Sequence, residues 1–126
     1  MELSIDTSNK HASIGLSEEG KLIIDKTWIS KNNHSVELLP SIEKIITKIE
    51  KKFSDINCIF IASGPGKFSS LRVGMSIAKG LAISLKSPIS AINTLYLEGY
   101  PELIENKETN SLMEYNKDKF YIGQFK

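Results

Sequence analysis

A short, wholly apolar run, Cys58–Ala62, leads into a glycine-containing loop and then into a segment with helical spacing. A run of this length without a polar residue is typical of a strand that is covered on both faces. Helices that connect parallel strands provide such cover. The sequence therefore predicts an α/β fold in which Cys58–Ala62 is an internal strand.

The residues before this run predict a three-stranded antiparallel meander. Leu3–Asp6 and Ala12–Leu16 alternate apolar and polar residues, as half-buried strands do. Glu18-Glu19-Gly20 is a hairpin signal, and Lys21–Ile29 has the β-branched and aromatic content of a third strand.

Helices and two further elements complete the predicted order. Apolar residues recur at spacings of three and four from Leu39 to Phe53, which predicts a helix running to about Lys52 with Ser35 as its N-cap. The remaining elements predicted are a helix at Leu71–Leu85, a strand at Ile89–Ile92, a helix at Thr94–Glu105, and a hairpin of Leu112–Tyr115 with Lys119–Phe125.

This order of elements resembles the ribonuclease-H-like lobe from which actin, Hsp70 and the sugar kinases are built. The resemblance implies an actin-like ATPase lobe with a mixed five-stranded sheet flanked by helices. We expect residues 1–105 to form this lobe. Residues 106–126 are expected to form an incomplete second lobe consisting of one β-hairpin.

The segment Gly64–Gly74 reads Gly-Pro-Gly-Lys-Phe-Ser-Ser-Leu-Arg-Val-Gly and continues through Ile77–Ala82 as Ile-Ala-Lys-Gly-Leu-Ala. It resembles the signature of the TsaB family, also called YeaZ, which runs Gly-Pro-Gly-Ser-Phe-Thr-Gly-Leu-Arg-Ile-Gly and then Ala-Lys-Gly-Leu-Ala. Ile5–Ser8 and His34–Pro40 resemble the family's opening strand and its first helix start. Glu114–Tyr121 loosely resembles its hairpin.

Two departures from the family pattern matter. Ser70 stands where the family has glycine, and it would store strain if that position needed a positive φ. The chain also ends where family members usually continue through a second lobe, so we expect either a naturally short or a truncated form.

The charge and cysteine content limit the partners and the compartment that we expect for the protein. The net charge is +1, and Arg72 is the only arginine, which gives no general electrostatic case for nucleic acid or an anionic membrane. Cys58 is the only cysteine, as suits a reducing compartment. Met1–Asp6 lacks the pattern of a signal peptide, and no apolar run reaches membrane-spanning length. We expect a cytoplasmic protein with no membrane contact.

The actin-like resemblance implies a vestigial phosphate-binding set of Asp6, Gly64 and Gly66. A glycine-rich loop before a helix can cradle phosphate, although this loop lacks the spacing of a Walker A motif. The alternative, which we favour, is that Gly64 and Gly66 form a tight turn while Asp6 caps the turn at Thr7 and Ser8.

The family resemblance implies no metal and no cofactor. The catalytic paralogue TsaD carries a His-x-x-x-His pair, a spacing that places two metal ligands on one helix face. The matching positions here are Thr94 and Glu98, whereas the two histidines, His11 and His34, lie elsewhere in the sequence. We expect no catalytic residue in this chain.

On the second helix, Ser76, Gly80 and Ser84 form a row of small residues. Such a row allows close packing either on the chain's own elements or on a partner helix. The family resemblance favours the partner, because TsaB pairs with TsaD, and self-associates, through its first two helices. The first-turn cation Arg72 is expected to need a carboxylate partner. The predicted partner-binding residues are Leu38, Leu39, Ile42, Ile46, Arg72, Val73, Ser76, Ile77, Gly80 and Ser84.

The resemblance implies a non-catalytic scaffold subunit. It would bind TsaD, and with it the ATPase TsaE, for threonylcarbamoyl transfer to N6 of the adenosine beside the tRNA anticodon. Contact with tRNA would be indirect, and a homodimer could form through the same helices. One alternative is a nucleotide-binding actin-fold enzyme, such as a small kinase or ATPase. A glycoprotease-type peptidase is less favoured, because Cys58 lies in the apolar strand and no nucleophile-elbow motif is present.

Overall fold

The computed structural model describes residues 1–31, 34–106, 108–116 and 119–125. Within these residues the chain forms seven strands, three α-helices and one short 3-10 turn. The strands are β1 (Glu2–Asp6), β2 (His11–Glu18), β3 (Lys21–Ile29), β4 (Cys58–Ala62), β5 (Ile89–Ile92), β6 (Thr109–Asn116) and β7 (Lys119–Phe125). The helices are α1 (His34–Lys48), α2 (Phe68–Leu85) and α3 (Thr94–Asn106), and the 3-10 turn is Phe53–Asp55.

The main sheet has five strands in the order β3-β2-β1-β4-β5. β1 lies at its centre, pairing antiparallel with β2 and parallel with β4. β2 pairs antiparallel with β3, and β4 pairs parallel with β5. This is the mixed five-stranded α/β sheet that the sequence predicted.

The predicted bounds of β3, β4 and β5 are confirmed at both ends, whereas those of the helices were wrong at some ends. α1 begins at His34, which places the predicted N-cap Ser35 inside the helix. It ends at Lys48 because Glu50 adopts a left-handed backbone conformation with φ +57°, which a continuing helix cannot use. α2 begins at Phe68, three residues before the predicted start, and Leu71 N–H already donates to Lys67 O at 2.9 Å.

The core lies between one face of the main sheet and the helices α1 and α2. Its sheet side is formed by Leu3, Ile5, Ile14, Leu16, Ile59 and Ile61, and its helix side by Leu38, Ile42, Ile45, Ile46, Ala78 and Ala82. The prediction that β4 is covered on both faces was wrong for Cys58 and Phe60, which are only half-buried. Since α1 and α2 pack on the same face of the sheet, they leave the opposite face of β4 less covered.

The third helix packs on the second hairpin. β6 and β7 form a separate two-stranded sheet, against which α3 lies. The ring of Tyr96 meets that of Phe125 edge to face, with centroids 5.4 Å apart. Gly99 sits so close to the Ser111 hydroxyl that a side chain there would collide with it. The predicted boundary between residues 105 and 106 stays a prediction, although α3 contacts the hairpin beyond it.

In the described parts of the chain, none of the helices is both long and apolar enough to cross a bilayer.

A carboxylate fastens α1 to the edge strand β3. Glu37 accepts hydrogen bonds from the Trp28 indole N–H at 2.9 Å and, more weakly, from Lys31 N–H at 3.4 Å. The hydrogen bonds from Trp28 and then Ser30 favour the ionised form and lower the pKa of Glu37. A carboxyl group with a lowered pKa stabilises the folded state above its ordinary pKa, and that contribution is lost as the pH falls through the lowered value.

We predict that Glu37→Gln lowers the melting temperature at neutral pH, because the amide loses the charge that the Trp28 and Ser30 donors favour. The difference from the wild type should disappear in acid, where the wild-type carboxyl is also neutral. Circular dichroism melts across this pH range would measure it. Glu43→Gln, an exposed substitution on the same helix, is the control. A Glu37→Gln deficit that persisted unchanged in acid would contradict the role assigned to the charge.

Candidate functional site

The start of α2 is fixed on the turn that follows β1. Lys67 N–H donates to Ser8 O at 2.7 Å, and the Thr7 hydroxyl donates to Ser70 O at 2.8 Å. Gly74, one turn further along the helix, has no room for a side chain, because a Cβ atom there would collide with Thr7 Oγ1. These contacts set the depth at which α2 lies on the sheet.

The glycine loop is tied to the start of α3 as well. Gly64 N–H donates to Thr94 Oγ1 at 3.0 Å, and Thr94 N–H donates to Gly64 O at 2.9 Å. Gly64 has φ +101°, which a residue with a side chain rarely adopts. At Gly66 a Cβ atom would collide with Ser8 O. Both glycines therefore allow the loop to pack closely where it meets the turn after β1 and the start of α3.

Asp6 caps the turn after β1. One of its carboxylate oxygens, Oδ1, accepts from Ser8 N–H at 2.9 Å and from Ser8 Oγ–H at 2.6 Å. The amides of Gly64 and Lys67 are also engaged inside the chain. In this arrangement the predicted vestigial phosphate-binding set, Asp6, Gly64 and Gly66, forms a turn and a close backbone contact, which is the alternative that the sequence favoured.

Ser70 does not carry the strain that its replacement of a family glycine suggested. It lies within α2 without a positive φ, so the condition for strain is not met. Its side chain is buried, and its carbonyl oxygen accepts the hydrogen bond from Thr7. A serine is therefore compatible with the helical backbone at this position.

The positions that match the metal ligands of TsaD have other surroundings here. Thr94 is fully buried and holds the glycine loop. Glu98 is exposed, and partial desolvation, followed by repulsion from Asp6, raises the pKa of its carboxyl group. Among the residues that the structure describes, no three His, Cys, Asp or Glu side chains are grouped as metal ligands would be.

The outward side of α2 carries a line of exposed residues at four-residue spacing. We call this line, Phe68, Arg72, Ser76, Gly80 and Ser84, the outer ridge. Small residues occupy its last three positions, as the sequence indicated. Because these residues face away from the core residues Gly74, Ala78 and Ala82, the small-residue row does not serve packing on the chain's own sheet.

The two glycines inside α2 have different surroundings. Gly74 is buried against Thr7, whereas a Cβ atom at Gly80 would meet nothing within 4 Å. Glycine in a helix interior costs about 1 kcal/mol relative to alanine. At Gly74 the close approach to β1 accounts for this cost. At Gly80 no contact within the described residues accounts for it.

The predicted partner-binding residues of α1 differ in their exposure to solvent. Leu38, Ile42 and Ile46 are 0%, 0% and 2% exposed and belong to the core, so they cannot contact a partner directly. Leu39 is 43% exposed. It lies on the flank of α1 away from β3, because Glu37 and Ser41 occupy the flank that bonds to β3.

Two further predicted residues, Val73 and Ile77, are half-buried on α2. They border the outer ridge, and Ile77 also packs against the core. They give the ridge an apolar margin.

Arg72 stacks on an aromatic ring. Its guanidinium lies over the Phe68 ring, 5.3 Å from the centroid, which is an attractive cation–π geometry. The hydrogen bonds and ring contacts of the described residues give it no carboxylate, so the carboxylate partner of Arg72 stays a prediction. Phe68, which is 73% exposed, was missed from the sequence because α2 was predicted to begin three residues too late.

Comparison with known proteins gives consistent matches. The family model described as TsaD: tRNA N6-adenosine threonylcarbamoyltransferase matches residues 28–115. A tRNA threonylcarbamoyladenosine biosynthesis protein TsaB from Buchnera aphidicola subsp. Schizaphis graminum is 37% identical over 98% of this chain and 59% of its own length. The protein of the same name from Bacillus subtilis is 38% identical over 74% of this chain and 41% of its own length. The chain thus spans less than two thirds of these relatives.

Solved structures establish the fold. YeaZ from Pseudomonas aeruginosa superimposes with a TM-score of 0.87 at 24% identity, covering 98% of this chain and 58% of that structure. Thermus thermophilus RuvC superimposes with a TM-score of 0.51 at 13% identity, covering 78% of this chain and 66% of that structure. Together with the family match, they confirm the predicted actin-like, ribonuclease-H-like fold.

We predict opposite effects on stability from alanine at the two glycines of α2. Gly80→Ala should raise the free energy of unfolding by up to about 1 kcal/mol, because it gains helix propensity without a collision. Gly74→Ala should lower it by roughly 1–3 kcal/mol, because the new methyl group displaces Thr7 or the helix. Urea denaturation measures both. If Gly80→Ala were as destabilising as Gly74→Ala, Gly80 would have a packing role that the structure does not contain.

Proposed function

The chain belongs to the TsaB (YeaZ) family, and we propose that it acts as a non-catalytic subunit that binds a TsaD-type threonylcarbamoyltransferase. The complex, joined by a TsaE-type ATPase, would transfer threonylcarbamoyl to N6 of the adenosine beside the tRNA anticodon. The names of the relatives, which refer to tRNA threonylcarbamoyladenosine biosynthesis, support this proposal. The setting would be the cytoplasm, where tRNA is modified.

One observation carries the proposal, namely the exposed Gly80 in the middle of α2. A glycine that costs helix stability and touches nothing in the described residues is explained if another helix packs directly against its backbone. Ser76 and Ser84 extend the same path by one turn on each side, and both are exposed. Small residues at this spacing let two helices approach closely along the ridge.

The charge of α2 indicates what the partner surface contains. The helix has Arg72 and Lys79 but no aspartate or glutamate between Phe68 and Leu85. Both cations are exposed, so a partner helix that brings carboxylates would complement them. With the half-buried Val73 and Ile77 at the margin, the proposed interface has a small-residue centre, apolar flanks and cationic positions.

A second copy of the chain could use the same ridge, so a homodimer and the complex with the TsaD-type partner would compete. In this proposal the chain reaches tRNA through the complex.

The surroundings of the serines near the glycine loop support a non-catalytic role, because the hydroxyl groups of Ser8 and Ser63 donate to Asp6 Oδ1 and Ile92 O. Ser63 is bonded to a backbone carbonyl oxygen, which is not a general base, and the Ser8 hydroxyl is bonded to the carboxylate that caps its own turn.

The nucleotide-binding alternative is less well supported. A Mg²⁺-nucleotide site needs free loop amides and a carboxylate that can hold the metal. Here Gly64 N–H and Lys67 N–H are bonded internally, and Asp6 accepts two hydrogen bonds from Ser8. Calorimetry with ATP and magnesium distinguishes the two functions, since tight binding by the isolated chain would favour the enzyme.

The direct test is Gly80→Leu in association with the TsaD-type protein of the same organism. Leucine has high helix propensity, and its Cβ atom would meet nothing within 4 Å among the described residues, so the variant should fold at least as stably as the wild type. Its side chain would occupy the space of the partner backbone and should weaken association by about thirtyfold or more. Size-exclusion chromatography and titration calorimetry would measure the loss.

Lys48→Leu is the matched control, because it places the same side chain at an exposed position of α1. It should bind the partner as the wild type does. Ile77→Asp is a poorer test, since Ile77 packs on the core and a charge there would also destabilise the fold. If folded Gly80→Leu bound the partner with unchanged affinity, the outer ridge would not be the interface.

A further inference from the structure

A wide cleft opens between the turn after β1, the glycine loop and the second hairpin. Its volume is about 1070 Å³. The lining residues come from three segments of the chain and are Ser8, Asn9, Lys10, His11, Ser63, Gly64, Pro65, Gly66, Lys67, Phe68, Leu71 and Tyr121. The cleft lies at the Phe68 end of the outer ridge and leaves the small-residue part of that ridge, Ser76 to Ser84, free.

The lining of this cleft is cationic. Lys10 and Lys67 are exposed in it, and among the lining residues that the structure describes none is an aspartate or glutamate. The whole chain carries a net charge of only +1, so positive charge is concentrated here relative to the rest of the molecule. Such a concentration favours an anionic ligand.

The turn that presents Lys10 is held by internal hydrogen bonds. Asp6 Oδ1 holds Ser8, and Asn9 Oδ1 accepts from His11 N–H at 2.7 Å. Lys67 is held in turn by its N–H donation to Ser8 O. Lys10 and Lys67 therefore project from backbone segments that are fixed relative to each other.

Aromatic side chains border the same cleft. Phe68 is highly exposed, and Arg72 covers its ring from the α2 side. Tyr121 of β7 lines the cleft as well. Flat apolar faces beside cations are the arrangement by which proteins bind single-stranded nucleic acid, with bases stacked on the rings and phosphates near the cations.

A free nucleotide with magnesium fits this cleft less well. The lining offers cationic side chains, but the amides of Gly64 and Lys67 are already bonded inside the chain. None of the lining residues that the structure describes is a carboxylate that could ligate the metal. An extended single strand needs only separated cations for its phosphates and exposed rings for its bases, and the described lining residues supply both.

We propose that this cleft binds a short single-stranded segment of RNA, with backbone phosphates at Lys10 and Lys67 and a base stacked on Phe68. The inference rests on the proposed function only for the source of the RNA, which would be the tRNA substrate of the complex. The chain would then contact the tRNA directly, in addition to the contact that it gains through its partner.

The test uses the full chain and a fluorescein-labelled single-stranded RNA in polarisation titrations at several salt concentrations. The double variant Lys10→Glu with Lys67→Glu should bind about tenfold more weakly or worse, and its salt slope should fall by about 1.4 for two lost phosphate contacts. Lys44→Glu with Lys48→Glu, which makes the same charge change on α1, should bind nearly as the wild type does.

Phe68→Ala tests the stacking. It keeps every charge of the cleft, so it should weaken RNA binding without changing the salt slope. The proposal is overturned if the wild type does not bind the RNA or if the α1 control loses as much affinity as the cleft variant. It is equally overturned if ATP with magnesium displaces the RNA at stoichiometric concentration.

Association of the Lys10→Glu, Lys67→Glu variant with the TsaD-type partner separates this proposal from the proposed function. Neither lysine is on the outer ridge, so the complex should form on size exclusion while RNA binding is lost. Failure of the wild type to bind the partner would refute the scaffold function and leave the RNA result to be judged independently.

Discussion

The close contact between α2 and the turn after β1 governs the arrangement of this molecule. Gly74 allows the helix to rest on Thr7, whose hydroxyl group donates to Ser70 O. Lys67 N–H then closes the loop onto Ser8 O. Because α2 is fixed in both depth and rotation, the face with Ala78 and Ala82 must lie in the core and the outer ridge must face outward.

The same contact determines what the glycine loop can do. Bonds to Ser8 and Thr94 use the amides of Lys67 and Gly64, while Asp6 Oδ1 accepts from Ser8. A loop that resembles a phosphate-binding element thereby becomes a junction that joins β1, α2 and α3. The chemistry that remains at this end of the molecule is that of exposed cations and aromatic rings, which suits an extended anion better than a chelated nucleotide.

The strands β3 and β4 could be predicted well because their signals are local. The apolar run of Cys58–Ala62 and the residues bounding Lys21–Ile29 fix those strands at both ends. The helices were harder. The end of α1 depends on the left-handed conformation of Glu50, and the start of α2 depends on where the loop meets Ser8. Neither is visible in the periodicity of the sequence.

The candidate site could be predicted only in part, because the sequence does not show which helical residues contact other parts of the chain. The sequence placed Ser76, Gly80 and Ser84 in one row, and all three are exposed. It could not tell Gly74 from Gly80, because a glycine in a helical pattern looks the same whether it meets Thr7 or open space. The apolar stripe of α1 likewise gives no sign that its own sheet covers Leu38 and Ile42 completely.

The central claim is that the outward side of α2 is the interface with the TsaD-type partner. Hydroxyl-radical footprinting with and without that partner tests it most directly. Ile83 is 80% exposed on this side of α2, and Leu22 is 65% exposed on the edge strand β3. We predict that the partner protects Ile83 from oxidation and leaves the oxidation of Leu22 unchanged. Protection of Leu22 with unchanged oxidation of Ile83 would contradict it.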